Sequence, residues 1–363
     1  MNAAGQNPKP RKADAPAATV SVVVPVKASH ASIRPLCLSL IGQTVKPSEI
    51  LLVGDAKDPT WGPIADLIDT GRVKVIEVER PPDHLGRDTN LKRRAGCASA
   101  TGRIIAVTDA DMILPPDWIR TGLELLDRNP VDSVAGTILS APRNRTFSEH
   151  LLNLYTDYSI LAKTPRFSAT HVVGKANFGK GKKLPISANW FFTREAYNRS
   201  GGFDPAFTLS YEDYSLAWRM VSAGCTILCT RLLWGYHHHR QDIRSLVKEY
   251  VKSGRGCAMF IFRYPKSPMS RRRVLQVAAA VLAFGFIASG MAWMPWKTAA
   301  VLGIAYAAAG ALNAHRAGRF GFLFPGISLI LGSAFTFGVL NGLWLGGTVN
   351  PKDRYLTDLR AGR

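Results

Sequence analysis

Acidic side chains are scarce in this sequence: 26 Asp and Glu stand against 46 Lys and Arg in 363 residues, a formal charge of +20. A chain so short of acid suits an anionic neighbour, either a nucleic acid or a membrane surface. The nucleic-acid alternative lacks its own signals, with no zinc knuckle, no RNA-binding aromatic signature and no helix-turn-helix pattern, so no nucleic-acid partner is expected. Cysteine is sparse as well. Cys37, Cys97, Cys225, Cys229 and Cys257 include no two pairs at zinc-ligand spacing, which excludes a zinc site and a disulfide framework and leaves small buried thiols in a reducing compartment. The first 18 residues, Met1 to Ala18, lack an apolar core and are rich in Ala, Pro and Lys. They read as a disordered basic tail rather than a signal peptide, so the domain after them is expected in the cytosol.

Apolar residues, by contrast, make up 47% of the chain, and from Val274 onward they dominate. Residues 274–294 and 322–347 carry no charge, and the shorter run 298–312 is Ala-rich. About 20 apolar residues cross a bilayer, so 274–349 is expected to be a transmembrane region of two to three helices. Small residues such as Gly285, Ser289, Gly303 and Gly310 suit close helix packing in lipid, and Trp293, Trp296 and Trp344 suit its rims. Arg271–Arg273 and the loop with His315, Arg316 and Arg319 place both ends of the first hairpin on the cytosolic side. The third segment would then carry the basic tail 350–363 across, against the same rule. Either the tail crosses or one segment is re-entrant. Before these runs, residues 241–273 alternate basic and apolar residues, as in a helix lying on a membrane surface or one packing on the domain.

Residues 19–240 have another character. Val20–Val26 is a β-branched run of the fully buried kind, followed by a helical pattern with Ile33, Leu36, Leu40 and Ile41 on one face. Strands follow at 49–53 and 73–78, a helix at 88–101, and a further strand that ends in Asp109-Ala110-Asp111. Strands 190–193 and 226–228 and a helix at 211–223 complete the pattern. Such alternation implies parallel crossovers and a doubly wound α/β sheet. Carboxylates at the carboxyl end of a central strand lie where such sheets bind ligands. Asp109 and Asp111 repel each other unless a cation lies between them, so the pair is either a solvated turn or a cation site.

In order and spacing these pieces resemble a family 2 glycosyltransferase of the GT-A fold. The resemblance rests on Val20–Val26, Ser39–Thr44, Pro47–Asp55, Ala100–Asp111, Gly202–Phe207 and Tyr211–Arg219, and covers about residues 20–240. It implies a Rossmann-like, mostly parallel nucleotide-sugar-binding sheet, joined here to C-terminal transmembrane helices. It also implies a nucleotide-diphosphate sugar donor and a divalent metal, Mg²⁺ or Mn²⁺. Asp111 is then the direct metal ligand, and Asp109 a contact to the ribose or to the metal through water. Asp213 is the general base, with Glu212 its neighbour, although both also suit a helix N-terminus as plain dipole complements. Pro25 and Val26 would supply backbone to the nucleotide and Asp55 would recognise the base. The sequence departs from the family pattern here, with Gly54-Asp55-Ala56-Lys57 for an Asp-Asp-Gly-Ser turn and Lys27 after the first strand. Arg93 and Arg94 stand where Arg-Asn is common, and either meets phosphate oxygens or, for Arg94, solvent. In His237-His238-His239 only His237 and His239 share a side of an extended chain, and one of them either joins the metal site or simply packs. Gln241-Asp242-Ile243-Arg244 resembles the motif of processive synthases, but Ser245 stands in place of its Trp.

The expectation is a multi-pass protein of the inner (cytoplasmic) membrane with its catalytic domain in the cytosol, moving one sugar to a lipid-linked or other membrane-associated acceptor with inversion. The rivals are a processive polysaccharide synthase and a catalytically silent scaffold that kept the fold.

Overall fold

The structure, a computed structural model, describes residues 19–27, 29, 31–79, 81, 88–142, 146–162, 170–180, 183–239 and 242–347. The expected tails 1–18 and 350–363, and Gln241 of the synthase-like motif, lie outside these residues.

The chain opens as β1 (Val20–Pro25), α1 (Ile33–Ile41), β2 (Glu49–Gly54), a 3₁₀ turn at Pro59–Ile64, α2 (Ala65–Asp69), β3 (Lys74–Glu77), α3 (Thr89–Ser99) and β4 (Ile104–Thr108). It continues through β5 (Met112–Ile113), α4 (Trp118–Arg128), β6 (Ser133–Ser140), α5 (Phe147–Ala162), β7 (Thr170–Val173), β8 (Asn189–Thr193), α6 (Arg194–Arg199), α7 (Glu212–Ser222) and β9 (Ile227–His237). Four long helices close it: α8 (Ile243–Arg263), α9 (Pro268–Trp293), α10 (Pro295–Ala317) and α11 (Phe324–Gly347).

All nine strands among the described residues join one sheet, in the order β3-β2-β1-β4-β8-β6-β9-β5, with β7 paired to β9. The pairings β1–β2, β1–β4, β2–β3 and β6–β9 are parallel. The two antiparallel steps through β8 return β6 to the direction of β4, so six strands run one way and β5, β7 and β8 the other. The α/β, mostly parallel sheet read from the sequence is present. Both of its faces are buried, which is why β1 tolerates no polar alternation. Val20, Val22 and Val24 pack with Ile33, Leu36 and Leu40 of α1, while Val23 faces Leu51, Val53 and Cys97 on the other side.

The expected strand at 226–228 is only the start of β9, which runs on to His237. Arg231 and the polar end of the segment mask its pattern, and its continuation depends on β5, β6 and β7 all pairing with it.

Among the described residues, two helices are long and apolar enough to cross a membrane, Pro268–Trp293 and Arg319–Gly346, as the uncharged runs predict. Their packing differs. The apolar stretch of α9 stands almost free of the rest of the chain, whereas α11 lies along α8. Leu246, Val247 and Tyr250 meet Phe324, Ile327 and Leu331, and further along Gly254 meets Phe335 and Val339, Gly342 meets Ala258, and Gly346 meets Phe262. Contacts that advance together in both helices mean parallel packing. A Cβ on Gly254 would lie 2.2 Å from the Phe335 carbonyl oxygen, so only glycine permits this approach. Another side of α8 sends Cys257 and Phe260 into the domain core.

Candidate active site

The carboxyl end of β4 delivers Asp109, and the tight turn into β5 delivers Asp111. β5 is only two residues long, yet its register with β9 pairs Met112 with His237. That pairing carries His237 Nε2 to 3.2 Å from Asp111 Oδ1, and the His238 amide donates to the Asp111 carbonyl at 3.2 Å. One ligand atom each from Asp109, Asp111 and His237 lies within 4.8 Å of the others, a group able to hold a metal ion. Two carboxylate oxygens and an imidazole nitrogen, all half-buried, suit Mg²⁺ or Mn²⁺ that takes its remaining ligands from a phosphate and water. His237 and His239 do share a side, with their Nδ1 atoms 3.1 Å apart. Burial and then the His237 charge push His239 down to about 3, so it is neutral. Burial works to raise the Asp111 carboxyl, but the His237 hydrogen bond outweighs it and holds Asp111 below the usual range.

Arg93 reaches the same edge from inside α3. Its guanidinium is buried and forks between two carboxylates, donating to Asp109 Oδ1 at 2.5 Å and to Glu212 Oε1 at 2.6 Å. A planar fork is what allows one side chain to hold two acids from separate elements. Arg94, the next residue on α3, pairs with neither acid among the described residues. Glu212 and Asp213 open α7 behind Tyr211, the one non-glycine residue with positive φ (71°) among the described residues. A left-handed tyrosine is strained by about 1 kcal/mol or more, and the buried ring is held in place by its packing against Tyr214 and Phe260. The Asp213 carboxylate accepts from the Tyr214 amide at 2.8 Å. Burial first, and then the Glu212 charge, push Asp213 up to about 7.

At the other end of the cleft, Pro25 ends β1 and Val26 follows it beside Asp55, which itself follows β2. Lys92, buried one residue before Arg93, donates to the Val26 carbonyl at 2.9 Å and to Asp55 Oδ2 at 3.2 Å, and pairs with Asp88 at 3.1 Å. Lys27 stands 3.5 Å from Asp88 as well. The departure at Gly54 has a steric reason: a Cβ there would lie 2.6 Å from the Trp61 ring, whose Nε1 donates to the Asp55 carbonyl at 2.9 Å.

Lys92, Trp61 and Asp204 were not singled out as functional positions from the sequence. Asp204, in the Gly202–Phe207 loop, is buried and takes bonds from Arg263 Nε at 3.2 Å and Tyr264 Oη at 3.0 Å. Asn90 locks the same loop to α3 through the Asp204 and Phe207 carbonyls, at 2.7 and 2.9 Å. The only sequence signal for Lys92 was its i,i+4 spacing from Asp88.

Residues 21–199 match the family model described as glycosyl transferase family 2. The sequence is 29% identical over 171 residues to a glucosyl-dolichyl phosphate glucuronosyltransferase of Haloferax volcanii, covering 46% of this chain and 49% of that protein. It is 27% identical over 190 residues to the succinoglycan biosynthesis protein ExoO of Rhizobium meliloti, covering 51% of each chain. The chain thus spans about half the length of the curated relatives it matches. Among solved structures it is similar to a mannosyltransferase from Pyrobaculum calidifontis in complex with GDP-Man and Mn²⁺, with a TM-score of 0.59 and 19% identity over 90% of this chain and 87% of that one. That likeness is one of fold.

Proposed function

The chain belongs to glycosyltransferase family 2, and on that premise we propose that it moves a sugar from a nucleoside-diphosphate donor to an acceptor hydroxyl on a lipid-linked or otherwise membrane-associated molecule. The observation that carries this reading is the convergence of Asp109, Asp111 and His237 with Glu212 and Asp213 around one buried arginine, Arg93, at the carboxyl edge of the sheet.

In this reading Pro25, Val26 and Asp55 receive the nucleoside, with Lys92 fixing the Asp55 carboxylate. Asp111, flanked by Asp109 and His237, holds Mg²⁺ or Mn²⁺, and His239 braces His237 from behind. When bound, such an ion offsets the charge that gathers on the departing diphosphate. Arg93 acts on the nucleotide through Asp109 and on the acceptor side through Glu212. Asp213 takes the proton from the acceptor hydroxyl as its oxygen bonds to the anomeric carbon. The bond from that carbon to the diphosphate oxygen breaks, and its electron pair leaves with the nucleotide. One assigned base, Asp213, and the family match itself support inversion.

The reading places residues 19–240 as the catalytic domain on the cytosolic face of the inner membrane, anchored by the α9–α10 hairpin. The parallel packing of α8 and α11 supports keeping α11, and the basic residues after it, on the side of the domain.

The test is purified protein in detergent, stripped of divalent ions. Transfer is expected to vanish in chelator, to return with Mn²⁺ or Mg²⁺, and not to return in Asp111→Asn. Transfer that persists undiminished in chelator removes the metal from the mechanism.

A further inference from the structure

Beside the catalytic edge lies a cavity of roughly 380 Å³, bounded by α5, the residues around Lys183, the start of α7, α8 and the first turns of α9. Its charged lining is of one sign. Lys183, Arg272 and Arg273 face it, no Asp or Glu lines it, and none of the three makes a salt bridge among the described residues. Lys183 is buried and donates to the Gly136 carbonyl and Thr137 Oγ1, both at 2.8 Å, which leaves one ammonium hydrogen over. Arg272 spends one bond on the Gly179 carbonyl at 3.0 Å, while Arg273 bonds Gln276 at 3.0 Å and the Tyr211 side chain and lies 5.2 Å from the centre of the Phe335 ring. Tyr155, Tyr214 and Tyr250 share the lining with Ile138, Leu184 and Ile186. Three cations with no carboxylate partner among the described residues, in a half-apolar hollow of this size, are the chemistry of a pocket for an amphipathic anion.

Two further observations fix what that anion is. Met269, Arg272, Arg273 and Gln276 recur at helical spacing, so one face of α9 forms a wall of the cavity. The same helix then continues as the free apolar run, with Val274, Leu275 and Leu282 exposed. At the other wall Tyr214 lines the cavity with its side chain while its amide holds the Asp213 carboxylate.

We propose that this cavity binds the phosphate end of a phosphorylated lipid, with Arg272, Arg273 and Lys183 on the phosphate and the hydrocarbon chain running along α9. The assignment rests on the transferase reading above and deepens it: the lipid is the acceptor's anchor, and its head delivers the reacting hydroxyl past Tyr214 to Asp213.

The experiment is equilibrium binding of farnesyl phosphate to the full chain in detergent, with farnesol and inorganic phosphate as competitors. Farnesyl phosphate is expected to bind, and each competitor to be weaker by about tenfold or more, a factor worth about 1.4 kcal/mol. The double variant Arg272→Gln/Arg273→Gln is expected to weaken binding by at least about tenfold, as is Ser159→Phe, which fills the cavity without touching its charge. Both variants should still bind a nucleoside diphosphate with Mn²⁺, which shows that they are folded. Unchanged farnesyl phosphate binding in both variants overturns the proposal. So does inorganic phosphate competing as well as farnesyl phosphate, which would mark a plain phosphate site, or farnesol doing so, which would mark an apolar one. If nucleotide binds and farnesyl phosphate does not, the cavity assignment fails alone. If farnesyl phosphate binds and no nucleotide does, the cavity stands and the transferase reading fails.

Discussion

Asp213 lies where burial and Glu212 push its carboxyl up to about 7 from an ordinary 3.8, so it keeps its proton up to neutral pH. Only the ionised form can accept a proton from the acceptor. As pH rises through about 7 the ionised fraction grows, and kcat/KM for transfer is expected to rise with it. Asp213→Asn should remove that limb and lower turnover by on the order of 10²–10⁴ while donor binding stays intact. A variant that kept the limb would assign it to another group. Arg93 invites a different measurement. Removing a buried cation from between two carboxylates leaves both acids uncompensated, so Arg93→Met should lower stability by about 3–5 kcal/mol in urea unfolding. Arg93→Lys should recover little, because a point ammonium cannot fork to Asp109 and Glu212 together. At this scale the sequence was half legible. Asp109, Asp111 and Asp213 stand at ends of strongly patterned elements and could be read. The Asp111–His237 contact depends on a two-residue strand finding its register on β9, and the Arg93–Glu212 pair on the packing of α3 against α7. Neither leaves a local trace.

Between elements, Glu49 is the tie that shows most clearly how the sheet is locked. It accepts from Ser21 Oγ at 2.6 Å and from the Thr101 amide and hydroxyl at 2.7 Å each, joining β1, β2 and the turn before β4. Burial alone would raise its pKa, but these donors outweigh burial and hold it near 2, against an ordinary 4.5. Because the folded value is the lower one, the stabilisation is complete above about 4.5 and is lost as pH falls towards 2. Glu49→Gln is therefore expected to be less stable than the parent at pH 7, by up to about 3 kcal/mol, and the gap should close near pH 2 in urea titrations. The continuous apolar runs of β1, β2 and β4 announce central strands. β6, Ser133-Val-Ala-Gly-Thr-Ile-Leu-Ser140, does not, because its burial is supplied by β8 and β9 rather than by its own composition. For α8 the sequence left two readings, membrane surface or domain packing, because the basic-apolar alternation serves both. The contacts of Gly254, Gly338 and Gly342 with the facing helix put α11 on one side of α8 and the domain core on another.

For the whole molecule, that pairing bears on the charge conflict in the sequence. If α9 and α10 cross and return while α11 stays beside α8, every basic cluster from Arg271 onward lies on one side. At 1.5 Å per residue α9 is roughly 39 Å long, ample for a hydrocarbon core of about 30 Å. A reporter fused after Arg363 should accordingly be digested by protease from the same side as the catalytic domain; protection on that side would put α11 across the bilayer. The chemistry at Asp109–Asp111 is tested by release of nucleoside diphosphate from a panel of nucleotide sugars by the purified protein in detergent with Mn²⁺. Turnover of at least one donor is expected, abolished by chelator and not supported by Asp111→Asn. Binding and turnover of none of the panel, with any divalent ion, would contradict it.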